Sequence, residues 1–141
     1  MKSFRTLLLS FLFLPLLTQA QEINFYEGDF ETASAKAVRE NKAVMVFLYS
    51  TTCGYCKYSQ EVIFKRDTAY TILNAQFICL KIELKSKEGR KLRNENQPEA
   101  TPCYLFFDSK GKLLLMMDSF LTAKELATQA NKALKKKKRG F

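Results

Sequence analysis

Residues 43–58 read "AVMVFLYSTTCGYCKY", an apolar segment followed closely by two cysteines with two residues between them. The apolar part, residues 43–50, does not alternate between polar and apolar side chains. This predicts a strand that is covered on both faces, as in the middle of an α/β sheet. From Cys53 onward the spacing of the apolar residues becomes helical. The sequence therefore predicts a strand, a short turn and a helix, with the cysteine pair where the helix begins.

The position of the two cysteines at the start of a helix predicts their chemical roles. The first turn of a helix leaves backbone N–H groups without partners at the positive end of the helix dipole. Because a thiolate is stabilised there, we expect the pKa of Cys53 to fall and its sulfur to act as the nucleophile. Cys56, one helical turn further on, is expected to lie deeper and to attack a mixed disulfide that Cys53 has formed. Such a redox centre requires neither an organic cofactor nor a metal.

Two other roles for the pair stay open at this point. A structural zinc site needs four ligands, but the chain has no His, so Cys79 and Cys103 would have to complete the site from two other strands. A purely structural disulfide between Cys53 and Cys56 would close a very short loop and would add little stability.

The remaining chain predicts one compact α/β domain, because 141 residues are too few for two. Asp29 is expected to cap a first helix, Asp67 to cap a short helix, and Thr122 with Glu125 to form a capping box. The other expected elements are a helix from Cys53 to Arg66, a strand over 76–84, a helix over 86–96, and a hairpin of "CYLFFD" and "KLLLMMD" with Gly111 in its turn.

Both ends of the chain differ from this domain. Residues 1–20 carry Lys2 and Arg5 ahead of an apolar stretch and end in small residues, which predicts a secretory signal peptide and export, most simply to a bacterial periplasm. Residues 135–141 begin with "KKKKR" and are expected to form a solvated, basic C-terminal tail, able to touch anionic surfaces weakly. The predicted domain is therefore residues 21–134. We expect no nucleic-acid partner, because the body lacks an aromatic and basic binding face.

The chain resembles the thioredoxin superfamily, and more closely the secreted thioredoxin-like proteins of bacteria. The resemblance covers nearly all of the predicted domain. It is carried by "FETASAKAVRENKAVMVFLYSTTCGYCK" at residues 30–57 and by "ATPCYLFFDSKGK" at residues 100–112. It implies a thioredoxin fold, in which helices flank a central mixed β-sheet. It also implies a cis peptide bond before Pro102, facing the cysteine pair, and main-chain contacts from Thr101 to an extended substrate segment.

Some positions depart from the family pattern. Thr52 stands where thioredoxins have Trp, and Gly54-Tyr55 replaces their Gly-Pro pair; Gly-Tyr together with Thr before the proline is similar to bacterial disulfide isomerases. Phe47 replaces a buried acid that assists the second cysteine. We therefore expect proton transfer at Cys56 to use water or a neighbour such as Lys57, Lys81 or Glu83. In the fold that the resemblance implies, a bridge between Cys79 and Cys103 would have to cross the central strand, so we expect both to be free thiols. Cys103, next to the proline, is expected to be a packing residue, with a role in the redox chemistry or an intermolecular disulfide as the alternative.

The resemblance and the motif together predict a secreted thiol-disulfide oxidoreductase, either a reductase or an isomerase of protein disulfides. Its expected partners are protein disulfides or thiols and a redox protein that recycles the Cys53–Cys56 pair. The alternative is a binding module or chaperone-like protein in which the cysteines are incidental. The aromatic side chains of Tyr55, Tyr58 and Phe120, which we expect to be exposed, favour that alternative.

Overall fold

The computed structural model describes residues 21–139. The predicted signal peptide, residues 1–20, lies outside the described residues. Within them a four-stranded sheet is flanked by five α-helices and one 3-10 turn. The elements are α1 (Phe30–Glu40), β1 (Ala43–Tyr49), α2 (Gly54–Glu61), the 3-10 turn (Ile63–Lys65), α3 (Asp67–Gln76), β2 (Phe77–Glu83), α4 (Lys87–Asn96), β3 (Cys103–Phe107), β4 (Leu113–Met117) and α5 (Ala123–Arg139). No described helix is long and apolar enough to span a bilayer.

The sheet has the strand order β2-β1-β3-β4. β1 runs parallel to β2 and antiparallel to β3, while β3 and β4 form the predicted antiparallel hairpin. Gly111 lies in the turn of this hairpin with φ of +83°, a backbone conformation that glycine adopts without strain. The mixed sheet and its flanking helices confirm the predicted fold class.

β1 is the centre of the core, as its unbroken apolar sequence predicts. Residues 43–48 are fully buried, and their side chains alternate between two apolar clusters. One cluster packs under α2, α3 and α5, and we call this side of the sheet the α5 face; Phe47 and Cys56 belong to it. The other packs under α1 and α4, and we call it the α4 face; Leu48 and Leu105 belong to it. The position of each cysteine relative to these two faces decides its chemistry.

The helical segment after Cys53 is shorter than the sequence predicts. α2 ends at Glu61, Val62 leaves helical geometry with φ of −122°, and a 3-10 turn follows. The break coincides with the burial of Ile63 and Phe64, and the Phe64 ring meets that of Phe47 edge-on at 4.8 Å. Packing against the core therefore outweighs the local preference to continue the helix.

Three predicted helix boundaries can be compared with the structure. Asp29 caps α1 by accepting the N–H of Thr32, as predicted. Thr122 and Glu125 form the predicted capping box ahead of α5. The prediction for Asp67 was wrong by one residue, because Asp67 is the first residue of α3 and its carboxylate accepts the adjacent N–H of Thr68.

The basic run at residues 135–139, expected as a solvated tail beyond the domain, forms the end of α5. The helix continues to Arg139. Lys136 Nζ donates to the carbonyl oxygen of Leu114 at 3.1 Å, and Lys137 Nζ donates to that of Asn41 at 3.4 Å. These two bonds hold the last turns of α5 against β4 and the end of α1.

Candidate active site

The two cysteines of the "CGYC" turn form a disulfide at the start of α2. Cys53 is the N-cap residue, and its Sγ accepts the backbone N–H of Cys56 at 3.1 Å. Gly54 and Tyr55 between them are exposed, and a Cβ added at Gly54 would meet open space. The sulfur of Cys53 therefore lies where the helix N-terminus can stabilise negative charge.

The pair is asymmetric in its access to solvent. Cys56 is fully buried in the apolar cluster of the α5 face, whereas Cys53 is half-buried at the edge of that cluster. An incoming sulfur can therefore reach Cys53 directly, while Cys56 is shielded behind it. This is the arrangement that attack by one cysteine and resolution by the other require.

A second chain segment borders Cys53 from the start of β3. The Thr101–Pro102 peptide bond is cis, and the carbonyl oxygen of Thr101 lies 3.5 Å from Cys53 Sγ. Pro102 is buried and Thr101 is half-buried. The structure thus brings together Cys53, Cys56, Thr101 and Pro102, four residues that the sequence predicts for one site.

The surroundings of Cys56 are apolar on the side of β1. Phe47 is fully buried, and its ring packs against those of Phe64 and Tyr104. The Phe47 ring stands where the family pattern has a buried acid, so β1 supplies no carboxylate at this position.

Beneath α2 lies a buried polar pair that sequence reasoning missed. The hydroxyl groups of Ser59 and Tyr104 are 3.1 Å apart, and the Ser59 hydroxyl also donates to the carbonyl oxygen of Tyr55. Burial raises the pKa of Tyr104 to about 12. The available signal was the position of Ser59, which lies one helical turn after Cys56 and so on the same face of α2.

The candidate proton carriers lie in different surroundings. Lys57 is exposed and its Nζ is 3.8 Å from the carboxylate of Glu61. Lys81 Nζ lies 5.7 Å from the centre of the Phe25 ring. Glu83 accepts the N–H of Lys85 through one carboxylate oxygen, while its other oxygen is buried without a hydrogen-bond partner. No hydrogen bond joins any of these three side chains to Cys56.

The other two cysteines are free and buried, as predicted. Cys103 pairs with Leu48 across the β1–β3 ladder and belongs to the α4 face, on the opposite side of the sheet from Cys56. The alternative in which Cys103 joins the redox chemistry is therefore not supported by its placement. Burial raises the pKa of Cys103 to about 12, with a smaller contribution from Asp118, and burial also raises the pKa of Cys79.

Three aromatic side chains adjoin the disulfide on the outer surface. Tyr55 is 65% exposed and Tyr58 is 48% exposed. Phe120, in the connection between β4 and α5, was expected to be exposed but is half-buried against the core. Its ring centre lies 5.3 Å from that of Tyr55 and 5.8 Å from that of Tyr58. We call Tyr55, Tyr58 and Phe120 the aromatic patch. Exposed apolar surface of this kind commonly marks a binding site.

The donor groups of residues 21–139 do not form a metal site. No group of three or more Cys, Asp or Glu side chains in this part of the chain is arranged to hold a metal ion. Cys79 and Cys103 lie on different strands and opposite faces of the sheet, so they do not complete a site with the pair.

Comparison with known proteins gives a family for this geometry. A family model described as thioredoxin-like matches residues 24–109. Among solved structures, the chain is similar to the structure of a candidate disulphide-isomerase from Bacteroides thetaiotaomicron, with 31% identity and a TM-score of 0.73. The match covers 82% of this chain and 96% of the other. No curated protein sequence matches the chain.

More distant structures share the fold. A thioredoxin from Thermus thermophilus is 19% identical with a TM-score of 0.73, over 85% of this chain and 94% of the other. A structure described as DsbH oxidoreductase is 17% identical with a TM-score of 0.67, over 82% and 88% respectively. At these identities the similarity extends to the fold alone.

Proposed function

Because the chain belongs to the thioredoxin-like family, we propose that it catalyses thiol-disulfide exchange on protein substrates through Cys53 and Cys56. The observation that carries the proposal is the asymmetry of the pair. The sulfur of Cys53 is accessible and accepts a backbone N–H at the start of α2, while Cys56 is buried one turn behind it. A surface disulfide that served only stability would not need this difference.

In the reducing direction the reaction has two exchange steps. The Cys53 thiolate attacks a protein disulfide, a mixed disulfide forms, and one substrate sulfur leaves as a thiolate. The Cys56 thiolate then attacks Cys53 Sγ, which releases the second substrate thiolate and leaves the Cys53–Cys56 disulfide. Two electrons pass from the enzyme to the substrate. In an isomerase the first mixed disulfide would instead be attacked by another cysteine of the substrate.

Thr101 and Pro102 are proposed to hold the substrate during these steps. An extended peptide that runs past the Thr101 carbonyl, 3.5 Å from Cys53 Sγ, would place its own sulfur next to the nucleophile. Main-chain hydrogen bonds of this kind are sequence-tolerant, because every residue except proline offers them. The site would therefore accept many protein substrates and depend on other contacts for preference.

The direction and location of the reaction belong to the same proposal. The Gly54-Tyr55 pair and the 31% identity to a candidate disulphide-isomerase support a reductase or isomerase. We propose that the protein is exported, to a bacterial periplasm, and that a separate redox protein recycles the pair. Equilibration of the Cys53–Cys56 couple against a series of glutathione ratios measures its potential and so its direction.

Single cysteine substitutions test the assignment. Cys53→Ser should abolish exchange with a protein disulfide, whereas Cys56→Ser should accumulate mixed disulfides that reducing agent releases. Cys103→Ser is the matched control, since this thiol lies on the other face of the sheet and should leave exchange unchanged. Normal exchange by the Cys53→Ser protein would refute the assignment.

The aromatic patch supports a second candidate function, a module that binds protein clients without redox chemistry. A protein carrying both Cys53→Ser and Cys56→Ser distinguishes the two. If it binds unfolded clients as tightly as the wild type, and the wild type shows no exchange, the binding function is the correct one. If the wild type exchanges disulfides and the double variant does not, the enzymatic function stands.

A further inference from the structure

The positive charge of the protein is concentrated at the end of the molecule opposite the disulfide. β1 begins at Ala43, and Cys53 follows its other end. The end of α5 lies beside the start of β1, because Lys137 donates to the carbonyl oxygen of Asn41. The seven residues of β1 separate the two ends by about 20 Å, at about 3.3 Å per residue.

Cations from three parts of the chain meet at this end. The basic run 135–139 comes from α5, Arg39 comes from the last turn of α1, and Lys42 comes from the connection between α1 and β1. The hairpin turn also lies here, because Phe107 at the end of β3 pairs with Val44 near the start of β1. We call the following eight side chains the cationic pole: Arg39, Lys42, Lys112, Lys135, Lys136, Lys137, Lys138 and Arg139.

Nearby carboxylates offset only part of this charge. Glu40 is held by Lys36 at 2.7 Å and by Lys42 at 3.2 Å. Asp108 accepts the backbone N–H groups of the hairpin turn, one of them from Lys112 at 2.9 Å. Within residues 21–139, the exposed side chains of the α5 residues 135, 138 and 139 make no ion pair.

A groove with mixed apolar and polar lining opens beside the cationic pole. It lies between α3 and α5 and has a volume of about 970 Å³. Ile72 and Leu134 contribute apolar lining, and Lys135, Lys137 and Lys138 of the pole also line the groove. Asp67 is the one carboxylate among its lining residues. Apolar lining next to cations matches a molecule that joins hydrocarbon to an anionic head group.

We propose that the cationic pole binds the surface of membranes rich in anionic phospholipids and leaves the disulfide facing away from the bilayer. The cations spread over three parts of the chain and form a broad face, which fits a flat anionic surface better than a single narrow strand of polymer. Lysine stems can cover apolar lipid while their ammonium groups reach the phosphates. This inference does not depend on the proposed enzymatic function.

The test measures vesicle binding by the chain from Gln21 onward, which contains every described element. Residues 1–20 are left out because their apolar stretch would partition into vesicles unaided. The test variant carries Lys135→Gln, Lys138→Gln and Arg139→Gln, which keeps the two lysines that bond to backbone carbonyls. The control carries Lys85→Gln, Lys87→Gln and Lys91→Gln, which removes the same charge from exposed positions in and beside α4.

Binding is measured by co-sedimentation with vesicles of phosphatidylglycerol and phosphatidylcholine, and with phosphatidylcholine alone. Each cation near an anionic surface contributes about fivefold to partitioning, so the test variant should bind about 100-fold more weakly than the wild type. The control should bind within about fivefold of the wild type. Salt at about 0.5 M, which screens the attraction between the cations and the anionic lipids, should release the bound protein. After reduction, Cys53 on bound protein should alkylate as fast as in solution.

Several outcomes would overturn the proposal. Failure of anionic vesicles to retain the wild type would overturn it. Equal weakening of binding in both variants would also overturn it, because net charge alone would then be responsible. Protection of Cys53 on the vesicles would show that the disulfide faces the bilayer. Tighter binding to poly-aspartate or duplex DNA than to anionic vesicles would assign the pole to another class of partner.

Discussion

The hydroxyl oxygens of Ser59 and Tyr104 lie 3.1 Å apart in the core between α2 and β3. This bond links the helix that starts with the disulfide to the strand that follows Pro102. Ser59 also donates to the Tyr55 carbonyl, so its hydroxyl has a second partner. The Tyr104 hydroxyl relies on Ser59 for its hydrogen bond. The two residues therefore join both halves of the candidate active site through one buried contact.

Ser59→Ala should destabilise the fold more than Tyr104→Phe. The first change leaves a buried hydroxyl of Tyr104 without its partner, at a cost of about 1–3 kcal/mol, whereas the second removes one hydrogen bond worth about 1 kcal/mol. The free energy of unfolding in urea measures both. The double variant should be less destabilised than the sum of the single variants predicts. Strict additivity would show that the two hydroxyls do not interact.

Alkylation should distinguish the four cysteines of the native, reduced protein. We expect Cys53 to react fastest, because its sulfur is accessible and accepts an N–H at the helix start. Cys79 and Cys103 should stay unmodified until urea is added, since both are buried as neutral thiols. Mass spectrometry of iodoacetamide-treated protein over time provides the order. Early labelling of Cys103 would contradict its placement on the α4 face.

The stability of the fold should fall as the pH rises above about 9. Burial raises the pKa of Cys103 from 9.0 to about 12 and that of Tyr104 from 10.0 to about 12. The unfolded chain loses these protons first, so the stabilisation is complete below the unfolded pKa and is lost as the pH approaches 12. Each such group costs up to about 1.4 kcal/mol per pH unit within this window.

Urea unfolding between pH 7 and 11 measures this dependence. Cys103→Ala should flatten the decline above pH 9, because it removes one of the groups with a raised pKa. Lys57→Gln is a control on an exposed side chain and should leave the slope unchanged. A slope that is the same in the wild type and in Cys103→Ala would show that the thiol titrates equally in the folded and unfolded states.

Much of the fold follows from local sequence patterns, because β1 and the hairpin carry strong signals. An unbroken apolar run predicts a central strand, and glycine between two apolar runs predicts a turn. The break at Val62 could not be predicted, because it depends on where Phe64 meets Phe47 in the assembled core. The anchoring of the basic end of α5 could not be predicted either. Its bonds from Lys136 and Lys137 reach residues far away in sequence.

The parts of the site that one motif determines could be predicted, whereas the parts that depend on the pairing of two strands could not. The position of Cys53 at the start of a helix follows from the spacing of the "CGYC" turn alone. Cys103 is adjacent to Pro102 in sequence, and this closeness suggested a role in the chemistry. The antiparallel register with Leu48 instead directs its side chain to the opposite face of the sheet. Side chains alternate between the two faces of the sheet along a strand, and the face on which Cys103 lies is known only once the sheet is assembled.

The aromatic patch should affect protein substrates and not small ones. Tyr58→Ala and Phe120→Ala each remove a ring from the surface beside the disulfide without touching the two sulfurs. Loss of such a contact, at about 1.4 kcal/mol, lowers kcat/KM for a protein disulfide about tenfold. Exchange with glutathione disulfide, which is too small to span the patch, should be unchanged.

Val38→Ala is the matched control, because Val38 is 59% exposed on α1 and belongs to no part of the site. An equal loss toward glutathione disulfide would place the effect on the redox pair itself, and an equal loss in Val38→Ala would make it a general effect of exposed apolar surface.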